Sequence, residues 1–88
     1  MKWLLNYQSL QMWTEKNNYL EKEFNFKDFK EAFGFMQQVA FVSENANHHP
    51  TIINTYSKVT LQLNTHDAGN TVTKKDYELA KKIDLIQC

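Results

Sequence analysis

Apolar and polar positions alternate with two different periods along the chain, and the switches between periods mark out its elements. Trp3, Leu4, Tyr7 and Leu10 recur roughly at helical spacing and predict a short N-terminal helix. Trp13 to Lys16 and Tyr19 to Phe26 read as two strands joined at Asn17-Asn18, because asparagine tolerates the positive φ of a two-residue hairpin turn. In the second strand Leu20, Phe24 and Phe26 share one face, and Tyr19, Glu21, Glu23 and Asn25 the other. That alternation fits a half-buried antiparallel strand. Asp28 and Glu31 have the spacing of a capping box, and Phe29, Ala32, Phe33, Met36, Val39, Ala40 and Ser43 follow along one face of the main helix. Phe35, Phe41 and Val42 lie off that stripe as a second apolar band, available for contact between subunits.

Residues 51 to 65 are rich in β-branched side chains, which predicts a short strand near Ile52 to Tyr56, a break at Ser57-Lys58 and a longer strand from Val59 to Thr65. Val59, Leu61 and Leu63 alternate with Thr60, Gln62 and Asn64, so a register carried to the strand terminus sets His66 on the polar face. Asp67 to Asn70 is a turn by composition. Thr73 then has the place of an N-cap with Asp76 completing a second capping box, and Leu79, Ala80, Ile83 and Ile86 give a closing helix its buried stripe. The order α-β-β-α-β-β-α predicts an α+β fold, a four-stranded antiparallel sheet with three helices packed on one face, as a single domain over residues 1–88.

A chain of 88 residues builds only a small core, so with 42% hydrophobic residues some large side chains are expected to be covered by a second subunit. Ten basic and ten acidic residues cancel and form no long run of one sign, which argues against a nucleic-acid binder. No apolar run approaches the roughly 18 residues of a membrane span, and the first segment lacks the pattern of a signal peptide. The single cysteine, Cys88, allows no intrachain disulfide and fits a reducing compartment. A soluble cytoplasmic protein is the expectation.

Candidate chemistry is concentrated between Glu44 and His66, which hold all three histidines and the only proline. Imidazole exchanges protons near neutral pH, so three in so short a chain invite an acid/base site, whereas a single histidine is more often an ordinary surface or satisfied residue. His48 and His49 are adjacent, and in extended backbone their side chains leave on opposite faces and serve different roles. Pro50 fixes its own φ and excludes His49 from the helical region, making His48-His49-Pro50 a stiff exit from the preceding helix. Three imidazoles and a carboxylate also make up a donor set for zinc or iron, but adjacent residues seldom reach one ion together, and neither metal nor cofactor is expected.

The spacing of these residues resembles a known signature. Glu44, three residues, His48-His49-Pro50, five residues, Tyr56, nine residues, His66 and then Asp76 is similar to that of the pterin-4a-carbinolamine dehydratases. Phe24-Asn25-Phe26-Lys27-Asp28-Phe29, continuing through Ala32-Phe33-Gly34-Phe35-Met36, resembles a second segment of that family, and Thr65-His66-Asp67-Ala68-Gly69 resembles a third. The resemblance runs from Trp13 to about Ile86 and implies the same α+β fold.

It also implies a reaction, dehydration of 4a-hydroxytetrahydrobiopterin to quinonoid dihydrobiopterin and water, in recycling the pterin used by aromatic amino-acid hydroxylases. By motif, His48 and His66 take acid/base positions and His49 a substrate-holding one. Glu44 orients an imidazole, Asp76 is the final acid as well as a cap, and Pro50, Thr65 and Lys75 support the site. Lys75 stands where some members have arginine, keeping the charge without the planar fork. The nine residues between His66 and Asp76 are one more than in many members, which predicts a larger turn at Asn70-Thr71. The resemblance further implies a homo-oligomer, dimer or tetramer, and a second class of function in which members act as dimerisation cofactors for a transcription factor.

Overall fold

A computed structural model describes residues 13–86. The helix expected around Trp3 to Leu10, and Cys88, lie outside them. Among the described residues the elements are β1 (Thr14–Lys16), β2 (Tyr19–Asn25), α1 (Phe29–Ala46), β3 (Thr51–Thr55), β4 (Lys58–Leu63), a 3-10 turn (His66–Ala68) and α2 (Lys74–Asp84). The strands form one antiparallel sheet in the order β1-β2-β4-β3. The α+β class and four-stranded sheet therefore stand as expected, with two of the three expected helices within the described residues.

Local chemistry accounts for the sheet. Asn17 and Asn18 both adopt positive φ, 50° and 70°, and close the β1–β2 hairpin that pairs Lys16 with Tyr19. The β3–β4 hairpin pairs Thr55 with Lys58 across Tyr56-Ser57, with Tyr56 at φ 50°. Leu20 opposes Leu63, Lys22 opposes Leu61 and Phe24 opposes Val59 on the buried face of the sheet. Ala32, Phe35 and Val39 of α1 and Leu79, Ala80 and Ile83 of α2 complete the core. Phe35 holds the centre, its ring 4.6 Å from that of Phe24 and 5.0 Å from that of Phe26. On the other face Glu21 accepts a hydrogen bond from Gln62, which holds its carboxyl below the usual range.

The phase of α1 differs from the expected stripe. Ala32, Phe35, Val39 and Ser43 are buried, with Met36, Val42 and Ala46 packed beside them, whereas Phe29, Phe33, Ala40 and Phe41 are exposed. The apolar pattern of this helix covers nearly its whole circumference, so periodicity alone left two phases open, and the tilted stack of Phe24, Phe26 and Phe35 selects one. Phe35 and Val42 thus belong to the core, and Phe29 and Phe33, with rings 5.7 Å apart, replace them on the outer band. Asp28 caps the helix by accepting from the Glu31 N–H, while Glu31 accepts from Lys27 rather than Asp28 and so displaces the capping box by one residue.

A lysine sits inside the sheet–helix layer. Lys22 lies between Leu20 and Phe24 on the buried face, 2% exposed, with its ammonium 2.6 Å from Asp84 at the end of α2 and 4.6 Å from the Phe24 ring centroid. Asp84 also accepts from the Trp13 indole N–H at 2.8 Å. Burial pushes the Lys22 amine below its ordinary value, and the Asp84 hydrogen bond opposes that shift. Strand alternation with Leu20 and Phe24 puts Lys22 on this face, but the acid that makes its burial tolerable lies 62 positions away.

Candidate active site

The ends of two elements that the fold brings together carry the histidines. Asn47 terminates α1 in the left-handed region (φ 52°, ψ 43°), and the backbone N–H of His48 reaches back to the Ser43 carbonyl. The helix therefore stops one residue before the first histidine, at an asparagine, a common left-handed cap, and His48-His49-Pro50 follows as the link to β3. The second end is the exit from β4, which stops at Leu63, two residues earlier than expected. Thr65 makes an isolated bridge to Thr71, and His66 opens a 3-10 turn instead of occupying the polar face of the strand. The burial alternation of Val59, Leu61 and Leu63 nevertheless continues to Thr65, which is 7% exposed and carries a polar side chain into a buried position.

Asp76 joins the two ends. Its carboxylate is fully buried, and one oxygen lies 2.6 Å from His48 Nε2. The other accepts from Thr65 Oγ1 at 2.8 Å and from the Thr73 backbone N–H at 2.8 Å. Thr65 and Thr73 hydroxyl oxygens are 2.6 Å apart. Because Thr65 has one hydroxyl proton and gives it to Asp76, Thr73 donates to Thr65, and the donors form a chain ending on the carboxylate. Such a set compensates the removal of a charge from water. As the acid at N3 of α2, Asp76 also completes the capping box expected from the sequence.

This arrangement selects ring nitrogens. An ionised carboxylate only accepts, so His48 Nε2 carries a proton towards Asp76 and Nδ1 is the nitrogen left for other chemistry. His49 turns instead to Glu44, with its Nε2 2.8 Å from the carboxylate in an exposed pair, 54% and 78% accessible. The neighbouring histidines thus go to different acids. His66 Nδ1 is 2.9 Å from Asn70 Oδ1, both exposed, and follows Thr65 directly in the chain. His48 and His66 are therefore suspended from one buried knot of Thr65, Thr73 and Asp76. Pro50 is half-buried at the corner, and Lys75 is exposed in the first turn of α2.

Spacing did not reveal Thr73 as more than a cap, or Asn70 as a histidine partner. Among the described residues, no group of three or more histidine, cysteine or acidic side chains is placed to hold a metal ion, and no helix is long and apolar enough to cross a membrane. Two surface hollows of about 330 and 290 Å³ lie elsewhere, one bordered by Trp13, Leu20, Tyr77 and Ala80 and the other by Thr14, Glu21, Glu23 and Thr60.

Comparison with known proteins agrees with the signature. A model of the pterin 4 alpha carbinolamine dehydratase family matches residues 2–86. A Prochlorococcus marinus protein, provisionally named as a pterin-4-alpha-carbinolamine dehydratase, is 49% identical over 79 residues, 90% of this chain and 81% of the relative. A Brucella melitensis crystal structure, described as a transcriptional coactivator/pterin dehydratase, superposes with a TM-score of 0.79 at 36% identity, over 93% of this chain and 88% of that one. A pterin dehydratase-like protein described as a RuBisCO assembly factor shares the fold at a TM-score of 0.65 and 23% identity, over 82% of each chain.

Proposed function

The chain belongs to the pterin-4-alpha-carbinolamine dehydratase family, and from that premise we propose that it dehydrates 4a-hydroxytetrahydrobiopterin to quinonoid dihydrobiopterin and water by histidine acid/base catalysis. The observation that carries the reading is the buried Asp76 carboxylate, bonded to His48 and to the residue preceding His66. The reaction loses a hydroxyl from C4a and a proton from a ring nitrogen. One proton must be delivered to the departing oxygen and one removed from nitrogen, whose lone pair drives the expulsion.

His48 is the proton donor: when its ring carries both protons, Asp76 at Nε2 serves as counter-ion and Nδ1 is the nitrogen left to donate. His66 is the acceptor, because its partner is a neutral amide and its Nε2 is free when Nδ1 holds the proton. When His48 has given up its proton and His66 has gained one, water exchange or transfer between the rings restores both. His49, held by Glu44, contacts the pterin, and Lys75, Pro50 and Thr65 border it. The protein works in the cytoplasm without metal or cofactor and serves an aromatic amino-acid hydroxylase by returning its pterin. A stopped-flow assay with 4a-hydroxytetrahydropterin tests the reading: His66→Ala lowers the rate at least about tenfold, and a wild type no faster than solvent removes the proposal.

Self-association belongs to the same reading. Phe29, Phe33 and Phe41 on α1, and Ile52, Ile53 and Tyr56 on and beside the β3 edge, are all exposed in the single chain. Burying one such aromatic is worth about 1.5–3 kcal/mol, enough in combination to favour a dimer or tetramer. Sedimentation is expected to give a species larger than the 10.4 kDa chain, and Phe33→Asp to shift it towards the monomer; a wild-type monomer contradicts this. The same aromatic face on α1 favours a second reading, a non-catalytic dimerisation cofactor. Partner capture that survives His48→Ala, from a wild type inactive towards the pterin, supports it.

A further inference from the structure

Asn70 has no role in the signature, yet its side chain meets His66. We propose that Asn70 is a positioning residue that fixes the tautomer of His66, keeping the proton on Nδ1 and leaving Nε2 as the basic nitrogen. The inference rests on the dehydratase reading for its catalytic consequence but not for its geometry.

The turn places the amide. The Thr65 carbonyl accepts from both the Ala68 and Asn70 N–H groups, at 3.2 and 3.1 Å, and the His66 carbonyl accepts from Gly69 at 3.0 Å. Gly69 at φ 86° and Asn70 at φ 58° then occupy the left-handed region in succession, curling the chain back on itself. The Thr71 carbonyl closes the turn by accepting from the Thr65 N–H at 2.8 Å. Four residues beyond His66, the Asn70 side chain comes to lie with Oδ1 2.9 Å from Nδ1. A carboxamide oxygen only accepts, so this contact requires a proton on Nδ1, and a neutral imidazole then has its lone pair on Nε2. A left-handed backbone alone would be satisfied by glycine, which makes the side chain separable from the conformation.

The experiment uses the full-length chain and reads the ring directly. Nitrogen NMR of the neutral His66 ring is expected to show Nδ1–H in the wild type. In Asn70→Gly, which keeps the backbone freedom and removes the acceptor, the ring is expected to revert mainly to Nε2–H. Asn70→Asp, which retains an acceptor, keeps Nδ1–H. In the dehydratase assay Asn70→Gly lowers kcat about three- to tenfold with KM within about twofold, an effect that loss of fold stability alone would not produce at full folding. A wild-type ring found as Nε2–H, or the same tautomer in the wild type and Asn70→Gly, overturns the proposal. Absence of dehydratase activity in the wild type sinks the functional reading instead and leaves the tautomer result to stand on its own.

Discussion

His48→Ala and Asp76→Asn are each expected to lower kcat/KM for carbinolamine dehydration by about 10²- to 10⁴-fold, although Asp76 touches no substrate. In the aspartate variant the Thr65 hydroxyl and Thr73 N–H continue to require an acceptor, so the carboxamide turns its oxygen to them and its NH₂ to His48. His48 Nε2 must then accept, the proton moves to Nδ1 of a neutral ring, and the counter-charge of the imidazolium is gone. Acting through one group, the two substitutions do not add: the double variant is expected to be no slower than the slower single one. Asp76→Asn at half the wild-type rate or better would show that the buried pair is structural only.

The second large effect concerns stability. Lys22→Met is expected to cost about 3–5 kcal/mol in urea unfolding, because it leaves the nearly buried Asp84 without its counter-ion. The double variant Lys22→Met/Asp84→Asn, which keeps an acceptor for the Trp13 indole, is expected to recover most of that loss. A single variant as stable as the wild type would show that water already reaches the pair. The pH dependence has a definite sign. The Lys22 amine loses its proton more readily in the folded chain than in the unfolded one, where its ordinary value is 10.5. Between the lowered folded-state value and 10.5 the unfolded chain binds more protons, so this residue's contribution to stability increases as pH rises through that window and is least below it. The wild type's advantage over Lys22→Met therefore widens in alkaline solution.

What the sequence made legible was local. Asn17-Asn18 announced a tight hairpin because few other pairs tolerate two positive φ values in succession, and both angles are found there. Thr73 and Asp76 announced the start of α2 through their spacing, and the capping box is present. The phase of α1 was not legible, since its phenylalanines lie on both sides and only the rings of β2 and the adjoining loop decide which side is buried. Lys22 was legible only in part: alternation with Leu20 and Phe24 puts it on the inner face, but a lysine reads as solvent-facing unless the acid that receives it is known, and Asp84 is at the far end of the chain. At the site, resemblance named His48, His66 and Asp76 together, but not the hydrogen bonds that differentiate the three imidazoles. Glu44 with His49 and Asn70 with His66 are local pairs, set by the helix exit and by the left-handed turn, whereas Asp76 with His48 spans 28 positions and could not be assigned until the two segments met.

One carboxylate completes the first turn of α2 and also anchors His48. Evolution consequently has no independent handle on the two. A change that tightened the helix start by altering Asp76 would disarm the imidazole, and one that retuned the imidazole there would fray the helix. Adaptation of this chain to heat or cold has to be written elsewhere, in the hairpin turns, the Lys22 layer or the outer phenylalanines, with residue 76 held fixed.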